Sequence, residues 1–279
     1  MPGLAVIGHP VAHSRSPDMQ TAALTELGLA GEWTYGAIDV APEDFEAEIA
    51  ELAVAGEYVG VNVTVPHKEA ALAMADVATD GARAIGAANT LTFSDGRIAA
   101  ANTDAGGLLR SLPAGTLGGR ALVLGAGGAA RAAIWALAQG GEGRPDANGE
   151  AATVAPFEVD VWNRTPERGE AVAAELGARF VVDPDPIDYA LIVNTTAVGL
   201  GGEDAFAHLP VTADSFVPGQ VVLDMVYGEE PSPLLDAAAA AGAVTVDGLE
   251  MLVQQGALSL RIWTGEEPSL GAMRAAVHR

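Results

Sequence analysis

The clearest candidate for chemistry in this sequence is Lys68, the only lysine in the chain. Arginine does not replace lysine where a compact, titratable ammonium is required. Lys68 closes the motif Val61–Lys68, in which a strand pattern runs into Pro66, a residue suited to the first turn of a helix. The motif predicts that Asn62, Thr64 and Lys68 are exposed together at the carboxyl end of a strand, where α/β folds bind ligands. A lysine retained by chance on a helix surface is the alternative.

Two segments farther along the chain contribute further polar side chains that could bind a ligand. Gly86–Thr90 and Asn102–Gly106 lie on either side of a predicted hairpin and contribute a carboxamide, hydroxyls and one carboxylate. This set of donors and acceptors matches a polyhydroxylated ligand rather than an apolar one. Taken singly, Asn89 and Asp104 are also typical of turns and helix caps.

A glycine-rich turn follows the strand pattern Leu122–Leu124 and leads into a helix pattern. Strand, glycine-rich turn and helix in this order form the dinucleotide-binding fingerprint. Gly125 permits a tight turn, Gly127 lets a pyrophosphate approach the backbone, and Ala130 packs the helix closely, while the helix start offers unpaired N–H groups. The predicted cofactor residues of this turn are Gly125, Ala126, Gly127, Gly128 and Ala129.

The end of the next strand indicates which dinucleotide is bound. NAD-binding folds place an acidic side chain there for the ribose 2′-hydroxyl, but the segment Val161–Arg168 has no carboxylate at the strand tip. Arg164, Arg168 and the Thr165 hydroxyl can instead bind a 2′-phosphate, for which guanidinium geometry is well suited. The sequence therefore predicts NADP. Ordinary surface cations are the alternative, although a cation at a helix start opposes the helix dipole.

These residues lie in a chain that alternates short apolar runs with longer amphipathic ones, which is typical of an α/β fold. In the first hundred residues the predicted strands are Leu4–Gly8, Trp33–Val40, Gly60–Thr64, Thr90–Phe93 and Ile98–Ala101. Ser94-Asp95-Gly96 between the last two predicts a hairpin turn. Later strands are predicted at Ala121–Leu124, Glu158–Trp162, Arg179–Val182, Ala190–Asn194, Val221–Asp224 and Ala243–Val246. They suggest one doubly wound sheet, followed by helices over Leu249–Trp263 and from Pro268 onward.

Length and composition narrow the function classes. The chain has 279 residues, which favours two domains, and 49% hydrophobic against 18% charged residues predict a folded protein. A net charge of −23 disfavours nucleic acids and anionic membranes as partners. Zero cysteines exclude disulfides and thiolate metal sites, and the five histidines show no ligand-type spacing, so no metal is predicted. We expect a cytoplasmic protein, since neither a signal peptide nor a membrane span is recognisable.

One connection is longer than an α/β unit requires. Residues 139–157 are rich in Gly, Pro, Asn and Glu, whereas such connections usually need about 2–6 residues. We interpret most of this segment as a disordered surface loop without an aromatic or basic anchor. A functional lid is the alternative.

Taken together, the motifs resemble those of the shikimate dehydrogenases over nearly the whole chain. The resemblance rests on blocks that occur in the family's order: Ser14–Ser16, Asn62–Lys68, Gly86–Thr90, Asn102–Asp104, Gly125–Ala130, Asn163–Thr165, Asn194–Thr196, Asp224–Tyr227 and Asp247–Gln255. The chain departs from the family pattern in the insertion at Gly140–Phe157 and at Thr195-Thr196.

The resemblance implies a role for each matching residue. Ser14 and Ser16 would hold the substrate carboxylate, with Tyr227 nearby, and Lys68 would pair with Asp104 at the reacting oxygen. The residues implied to bind substrate hydroxyls are Thr64, Asn89, Asp104 and Gln255. The residues implied to bind the cofactor beyond the glycine turn are Asn163, Arg164, Thr165, Arg168, Thr195, Met225 and Gly248.

The resemblance also implies a fold and a reaction. The fold is an N-terminal α/β substrate domain, residues 1–103 and 249–279, plus a Rossmann-like doubly wound dinucleotide-binding domain, residues 104–248. The reaction is the reversible, NADPH-dependent reduction of 3-dehydroshikimate to shikimate in aromatic amino-acid (chorismate) biosynthesis, in a monomer or homodimer. An NAD-linked quinate/shikimate dehydrogenase and a catalytically silent NADP sensor are the rival interpretations.

Overall fold

The structure is a computed structural model that describes residues 2–145, 152–201, 203–228 and 230–278. The chain forms two compact units, Met1–Gly107 with Leu252–Arg279, and Leu108–Met251. The predicted domain boundaries near residues 103 and 248 stay a prediction.

The first unit contains a mixed six-stranded sheet. Its strands are β1 (Gly3–Gly8), β2 (Thr34–Asp39), β3 (Tyr58–Val63), β4 (Val77–Ala78), β5 (Thr90–Ser94) and β6 (Arg97–Ala101). The spatial order is β2-β1-β3-β5-β6-β4. β1 lies parallel to β2 and β3, whereas β5 runs antiparallel to both β3 and β6. The predicted hairpin is therefore present, while the short edge strand β4 was not predicted.

Helices connect these strands and cover the sheet. They are α1 (Ser16–Glu26), α2 (Phe45–Ala55), α3 (Lys68–Ala73), α4 (Asp80–Ile85) and α5 (Asp104–Ser111). Every residue of β1 is buried, as expected of a central parallel strand covered on both faces. Ile7, Phe45, Ile49 and Leu91 belong to one apolar core between α2 and the sheet. The core holds the carboxyl ends of the strands in place, which is where the predicted site residues follow.

The second unit contains a six-stranded parallel sheet. Its strands are β7 (Gly119–Leu124), β10 (Phe157–Trp162), β11 (Arg179–Phe180), β12 (Leu191–Asn194), β13 (Val221–Asp224) and β14 (Val244–Val246), with β8 (Gly141–Glu142) and β9 (Thr153–Val154) forming a separate pair. The order β11-β10-β7-β12-β13-β14 is that of a Rossmann-like doubly wound sheet, so the predicted fold class is confirmed.

The remaining helices of the chain are α6 (Gly128–Gln139), α7 (Pro166–Leu176), α8 (Pro233–Ala240), α9 (Gly248–Thr264) and α10 (Leu270–Val277). α9 begins in the second unit and continues into the first, and α10 packs against α1. The terminal helices thus lie outside the strand–helix alternation, as the sequence predicted. No helix among the described ranges is long and apolar enough to cross a membrane.

The prediction for the insertion is wrong where the structure describes it. β8 and β9 pair antiparallel, and Arg144 is the basic anchor that the prediction denied. Its guanidinium donates to Ser111 O at 3.1 Å and lies 2.8 Å from the Glu250 carboxylate. These contacts order the ends of the segment against α5 and α9. Residues 146–151 of the predicted loop lie outside the described residues.

Candidate active site

Lys68 and Asp104 form a direct ion pair, with 2.6 Å between Nζ and Oδ2. Each is the first residue of a helix, Lys68 of α3 after β3 and Asp104 of α5 after β6. Their side chains are only 12% and 5% exposed, so water screens the pair weakly and the interaction is stronger than on an open surface. The arrangement provides a proton-carrying ammonium held by a fixed carboxylate.

The second carboxylate oxygen of Asp104 is held by Asn89. Asn89 is buried, and its Oδ1 accepts the backbone N–H of Thr103 at 2.7 Å. Because a backbone N–H only donates, this bond settles which end of the carboxamide is which. The Nδ2 group donates to Asp104 Oδ1 at 2.9 Å. Both oxygens of Asp104 therefore have donors, which fixes the carboxylate in one orientation.

Gln255 reaches the same group of side chains from α9. Its Oε1 accepts from Asn89 Nδ2 at 3.2 Å, and its own Nε2 donates to Leu252 O at 2.8 Å. Thr64 immediately follows β3 and is half-buried, with its N–H bonded to Ile7 O at 2.8 Å. The structure therefore brings Gln255 together with Asn89 and places Thr64 near the start of the α3 segment.

Asn62 is not where the motif predicted it to be. It is buried rather than exposed beside Thr64 and Lys68, because side chains from the strands β2 and β5 and from α9 enclose its carboxamide. Tyr35 Oη donates to Asn62 Oδ1 at 2.8 Å, and Asn62 Nδ2 lies 2.9 Å from Ser259 Oγ. Sequence reasoning gave neither Tyr35 nor Ser259 a role.

Ser14 lies in the connection from β1 to α1, and Ser16 is the first residue of α1. Ser16 N–H donates to Ser14 Oγ at 3.3 Å, which leaves the hydroxyl hydrogen of Ser14 available to an acceptor. The connection is held by Asp39, which accepts from the N–H of Val11 at 3.0 Å and lies 2.7 Å from His9 Nδ1. These bonds, from His9 first and then from Val11, lower the pKa of the exposed Asp39 carboxyl.

His67, immediately before Lys68, is a buried residue that sequence reasoning did not single out for the site. Its ring stacks on Phe45 with 4.3 Å between centroids, and its Nε2 lies 2.8 Å from Val40 O. Burial lowers the pKa of His67, so the ring favours the neutral form beside the lysine. Its place between Pro66 and Lys68, in the predicted first turn of a helix, was the only signal in the sequence.

The glycine turn between β7 and α6 presents backbone rather than side chains. Gly125 has φ of +121°, and a Cβ there would lie 2.5 Å from Thr195 Oγ1. At Gly127 a Cβ would meet no protein atom within 4 Å, so the open side of this backbone is free for a ligand. Gly127 is the N-cap of α6 and provides no side-chain cap. The turn and helix start therefore fit a pyrophosphate, as the fingerprint predicted.

The two arginines predicted to bind the 2′-phosphate, which follow β10, have different environments in the structure. Arg168 donates from Nε to Ala126 O at 3.0 Å and so braces the glycine turn. Arg164 is exposed, and within the described part of the chain no hydrogen bond or ion pair of its guanidinium is found. Asn163 Nδ2 donates to Thr165 O at 2.8 Å and closes the local turn. Of the two cations, Arg164 is the better placed to bind an external phosphate.

The ends of β12 and β13 carry the remaining predicted cofactor residues. Thr195 Oγ1 donates to Leu124 O at 2.7 Å, while Met225 and Tyr227 follow β13 and are half-buried. A Cβ at Gly248 would lie 2.5 Å from Met225 O, so only glycine lets α9 start this close to β13.

Asp224, which sequence reasoning quoted without assigning a role, links these two strand ends. Its Oδ1 accepts from Asn194 Nδ2 at 2.9 Å and from Val226 N–H at 3.0 Å, and its Oδ2 accepts from Ser232 Oγ at 2.6 Å. Burial raises the pKa of this carboxyl despite these donors.

The described residues contain no group of three or more His, Cys, Asp or Glu side chains that could hold a metal ion.

Comparison with known proteins gives matches at both ends of the chain and along its length. The family model of the shikimate dehydrogenase substrate binding domain matches residues 6–91. The family model of the shikimate 5′-dehydrogenase C-terminal domain matches residues 248–278.

Whole-chain relatives carry the same description. The shikimate dehydrogenase (NADP(+)) of Methanopyrus kandleri is 41% identical over 290 residues, covering 98% of this chain and 94% of that protein. The shikimate dehydrogenase (NADP(+)) of Thermus thermophilus is 43% identical over 277 residues, covering 99% and 97%. The crystal structure of shikimate 5-dehydrogenase from Thermus thermophilus in complex with NADP(H) and shikimate has a TM-score of 0.84 at 40% identity, covering 100% and 99%.

Proposed function

The chain belongs to the shikimate dehydrogenase family, and from that premise we propose that it catalyses reversible, NADP-dependent hydride transfer between 3-dehydroshikimate and shikimate. The observation that carries the proposal is the buried Lys68–Asp104 ion pair, with 2.6 Å between its charged atoms. The shikimate pathway to chorismate and aromatic amino acids is the corresponding metabolic role. We place the reaction in the cytoplasm, in a monomer or homodimer.

Lys68 is proposed as the proton donor in the reductive direction. When bound, NADPH supplies the hydride to the ketone carbon, and negative charge develops on the ketone oxygen. The Nζ group of Lys68 gives its proton to that oxygen, which yields the alcohol and a neutral amine. Asp104 orients the ammonium and stabilises its charge. In the oxidative direction the neutral amine of Lys68 takes the hydroxyl proton back.

Most of the side chains proposed to bind the substrate are polar groups of the first unit. Ser14 and Ser16 donate to its carboxylate, and the Ser14 hydroxyl has its hydrogen available for this. Tyr227 is proposed to act towards the carboxylate end of the substrate. The residues proposed for the ring hydroxyls are Thr64, Asn89, Asp104 and Gln255.

The cofactor is proposed to bind along the carboxyl ends of the parallel strands of the second unit. The backbone of Gly125–Ala129 receives the pyrophosphate, and Arg164 with Thr165 binds the 2′-phosphate that distinguishes NADP from NAD. Arg168 and Asn163 hold this region in shape through their bonds to Ala126 O and Thr165 O. The residues proposed farther along the cofactor are Thr195, Met225 and Gly248.

The test is to mix the purified protein with NADPH and 3-dehydroshikimate and to follow oxidation of the cofactor, with NADH as the parallel assay. We expect turnover with NADPH and much less with NADH. No oxidation of either cofactor, despite measurable NADPH binding, would indicate a silent sensor. Preference for NADH would indicate the NAD-linked rival.

Substrate choice is tested in the oxidative direction. Quinate carries an extra hydroxyl on the carbon that bears the carboxylate and has a saturated ring, so its added bulk falls near Ser14 and Ser16. A polar site discriminates strongly against an analogue that leaves its groups unpaired. We expect kcat/KM for shikimate with NADP to exceed that for quinate greatly. Comparable values would contradict the substrate assignment, and Ser16→Thr would then be the first substitution to examine.

A further inference from the structure

Asn62 is a buried carboxamide in the Val61–Lys68 motif for which the proposed chemistry has no use. It is 5% exposed and lies among the polar side chains of Tyr35, Thr90 and Ser259. Its Nδ2 lies 3.2 Å from Asn89 O, 3.3 Å from Thr90 Oγ1 and 2.9 Å from Ser259 Oγ. A backbone carbonyl only accepts, so the nitrogen end faces Asn89. The oxygen end accepts from Tyr35 Oη at 2.8 Å.

The carboxamide of Asn62 secures the backbone of Asn89. Asn89 O accepts from Val63 N–H at 2.8 Å as well as from Asn62 Nδ2 at 3.2 Å. Since a carbonyl oxygen has two lone pairs, these two bonds satisfy it completely. Asn62 and Thr90 are also paired residues of the antiparallel strands β3 and β5, so the side chain reinforces the strand pairing directly beneath Asn89.

Ser259 extends this support to the side chain of Asn89. Its Oγ lies 2.9 Å from Thr103 Oγ1 and donates to Gln255 O at 3.1 Å. Thr103 in turn contacts the carboxamide of Asn89 through both N–H and hydroxyl, at 2.7 Å and 3.1 Å from Oδ1. The chain of contacts thus runs from Tyr35 through Asn62 and Ser259 to Thr103, and ends at Asn89.

Asn89 connects these contacts to the Lys68–Asp104 ion pair, which is the pair proposed to act on the substrate. Asn89 Nδ2 donates to Asp104 Oδ1 at 2.9 Å, and Lys68 Nζ donates to the other oxygen at 2.6 Å. A shift of Asn89 turns the carboxylate and with it the ammonium. Misplacement of a catalytic group by about 1 Å can cost roughly a hundredfold in rate.

We infer that Asn62 is a positioning residue, which fixes Asn89 and through it the Asp104 carboxylate in the orientation that receives the Lys68 ammonium. This inference rests on the proposed role of the Lys68–Asp104 pair. Within the described part of the chain, Asn62 forms no hydrogen bond with Lys68 or Asp104 and reaches them only through Asn89. Because Asn89 holds the Asp104 carboxylate, we expect the loss of Asn62 to lower kcat rather than to weaken NADPH binding.

The test uses two variants of the full-length protein. Asn62→Ala removes the carboxamide, and we expect kcat to fall about ten- to a hundredfold with the KM for NADPH unchanged. Tyr35→Phe removes one hydroxyl without changing shape, so it serves if Asn62→Ala does not fold. We expect a smaller fall of kcat, about two- to fivefold.

Gln220→Ala is the matched control for loss of a buried carboxamide. Gln220 is also buried, and its Nε2 bridges Pro186 O and Tyr189 O, each at 2.8 Å, in the second unit. Its loss is expected to lower the melting temperature and to leave kcat of the folded protein near that of the native chain. A fall of kcat as large as that of Asn62→Ala would mean that any lost buried carboxamide has this effect, and would overturn the inference.

A double-mutant cycle with Asp104→Asn separates positioning from general damage. If Asn62 acts through the Asp104 carboxylate, Asn62→Ala lowers kcat much less in the Asp104→Asn background than in the native one. Equal losses in both backgrounds, or native kcat in both Asn62→Ala and Tyr35→Phe, would overturn the inference alone. Native kcat in Asp104→Asn itself would overturn the proposed ion-pair chemistry and the inference together.

Discussion

Around Lys68 and Asp104 the polar groups are side chains that bind one another, whereas around Gly125–Ala129 they belong to the backbone. Asp104 is held by two side-chain donors. Behind it, the side chains of Asn89, Thr103 and Ser259 are joined by hydrogen bonds. The glycine turn has an open position at Gly127 and no side-chain cap on α6. The first region therefore depends on the identity of each side chain, while the second depends on the absence of side chains. Substitutions should affect the two regions in different ways.

The largest expected effect is that of Lys68→Met, because the ammonium acts on the charge that develops in the transition state. Removal of one positioned electrostatic donor costs about 10²–10³ in rate, and loss of the proton donor should cost at least as much in kcat. The measurement is steady-state kcat, with unfolding curves to show that the fold persists. Asp104 keeps the hydrogen bond from Asn89 in this variant, so we expect the site to remain largely formed.

Lys68→Arg is the control for charge alone. It keeps a cation but supplies no readily titratable ammonium, and we expect it to restore little activity. If Lys68→Met retained more than about a tenth of native turnover, the side chain would contribute less than about 1.4 kcal/mol, which is too little for a proton donor. Asp104 or a bound water would then be the donor to consider.

The next effect is on cofactor choice. Arg164→Ala should raise the KM for NADPH by roughly ten- to a hundredfold, as expected for loss of a charge-assisted bond of about 1.5–3 kcal/mol, and leave NADH nearly unchanged. Arg168→Ala should weaken both cofactors, because Arg168 also braces the turn at Ala126 O. KM values for NADPH and NADH in both variants provide the test. Equal damage to both cofactors by Arg164→Ala would mean that Arg164 stabilises the loop.

A smaller effect is expected where a side chain is added to the turn. Gly125→Ala combines a φ of +121° with a Cβ placed 2.5 Å from Thr195 Oγ1, and such strain costs about 1–3 kcal/mol. Gly177→Ala is the control, since Gly177 has φ of +72° but no atom within 4 Å of its Cβ position. Denaturant unfolding and the KM for NADPH should both separate the two variants. If Gly125→Ala and Gly177→Ala lost equal stability, the clash of the new Cβ with Thr195 Oγ1 would not contribute to the loss.

The smallest effect concerns Asp224, a buried carboxylate on the cofactor side. Asp224→Asn keeps Oδ1 as acceptor for Asn194 and Val226, and the new amide can donate to Ser232 Oγ. Burial raises the folded-state pKa of Asp224 above its ordinary value. Stability from the protonated form is therefore fully present below the unfolded-state pKa and is lost as pH rises through the folded-state pKa.

The Asn variant does not titrate, so its stability relative to the native chain should rise over this pH range, by roughly 1 kcal/mol or less. The measurement is the free energy of unfolding from acid to neutral pH. Asp236→Asn, on the exposed surface of α8, corrects for the loss of one carboxylate. A difference between the two variants that stays constant with pH would contradict the assignment of burial as the cause.

Much of the fold follows from local patterns in the sequence. The strands of both sheets occur close to the predicted positions, because short apolar runs between turn residues fit a covered sheet. The edge strand β4 was not predicted, since Val77–Ala78 is too short to show a pattern. The ends of the insertion were predicted wrongly as disordered. A composition rich in Gly and Pro indicates a disordered loop only where no contact with distant residues orders the segment. Arg144 makes such contacts with Ser111 and Glu250.

The sequence by itself determined the candidate lysine, the glycine turn and the cationic strand tip, because each depends on residues that are neighbours along the chain. The tertiary structure decided which side chains face one another. It turned Asn62 inward to Tyr35 and Ser259, brought Gln255 to Asn89, and placed Arg168 on Ala126 O. These contacts join residues far apart in sequence, and their geometry depends on strand order, register and helix packing, which no local pattern contains.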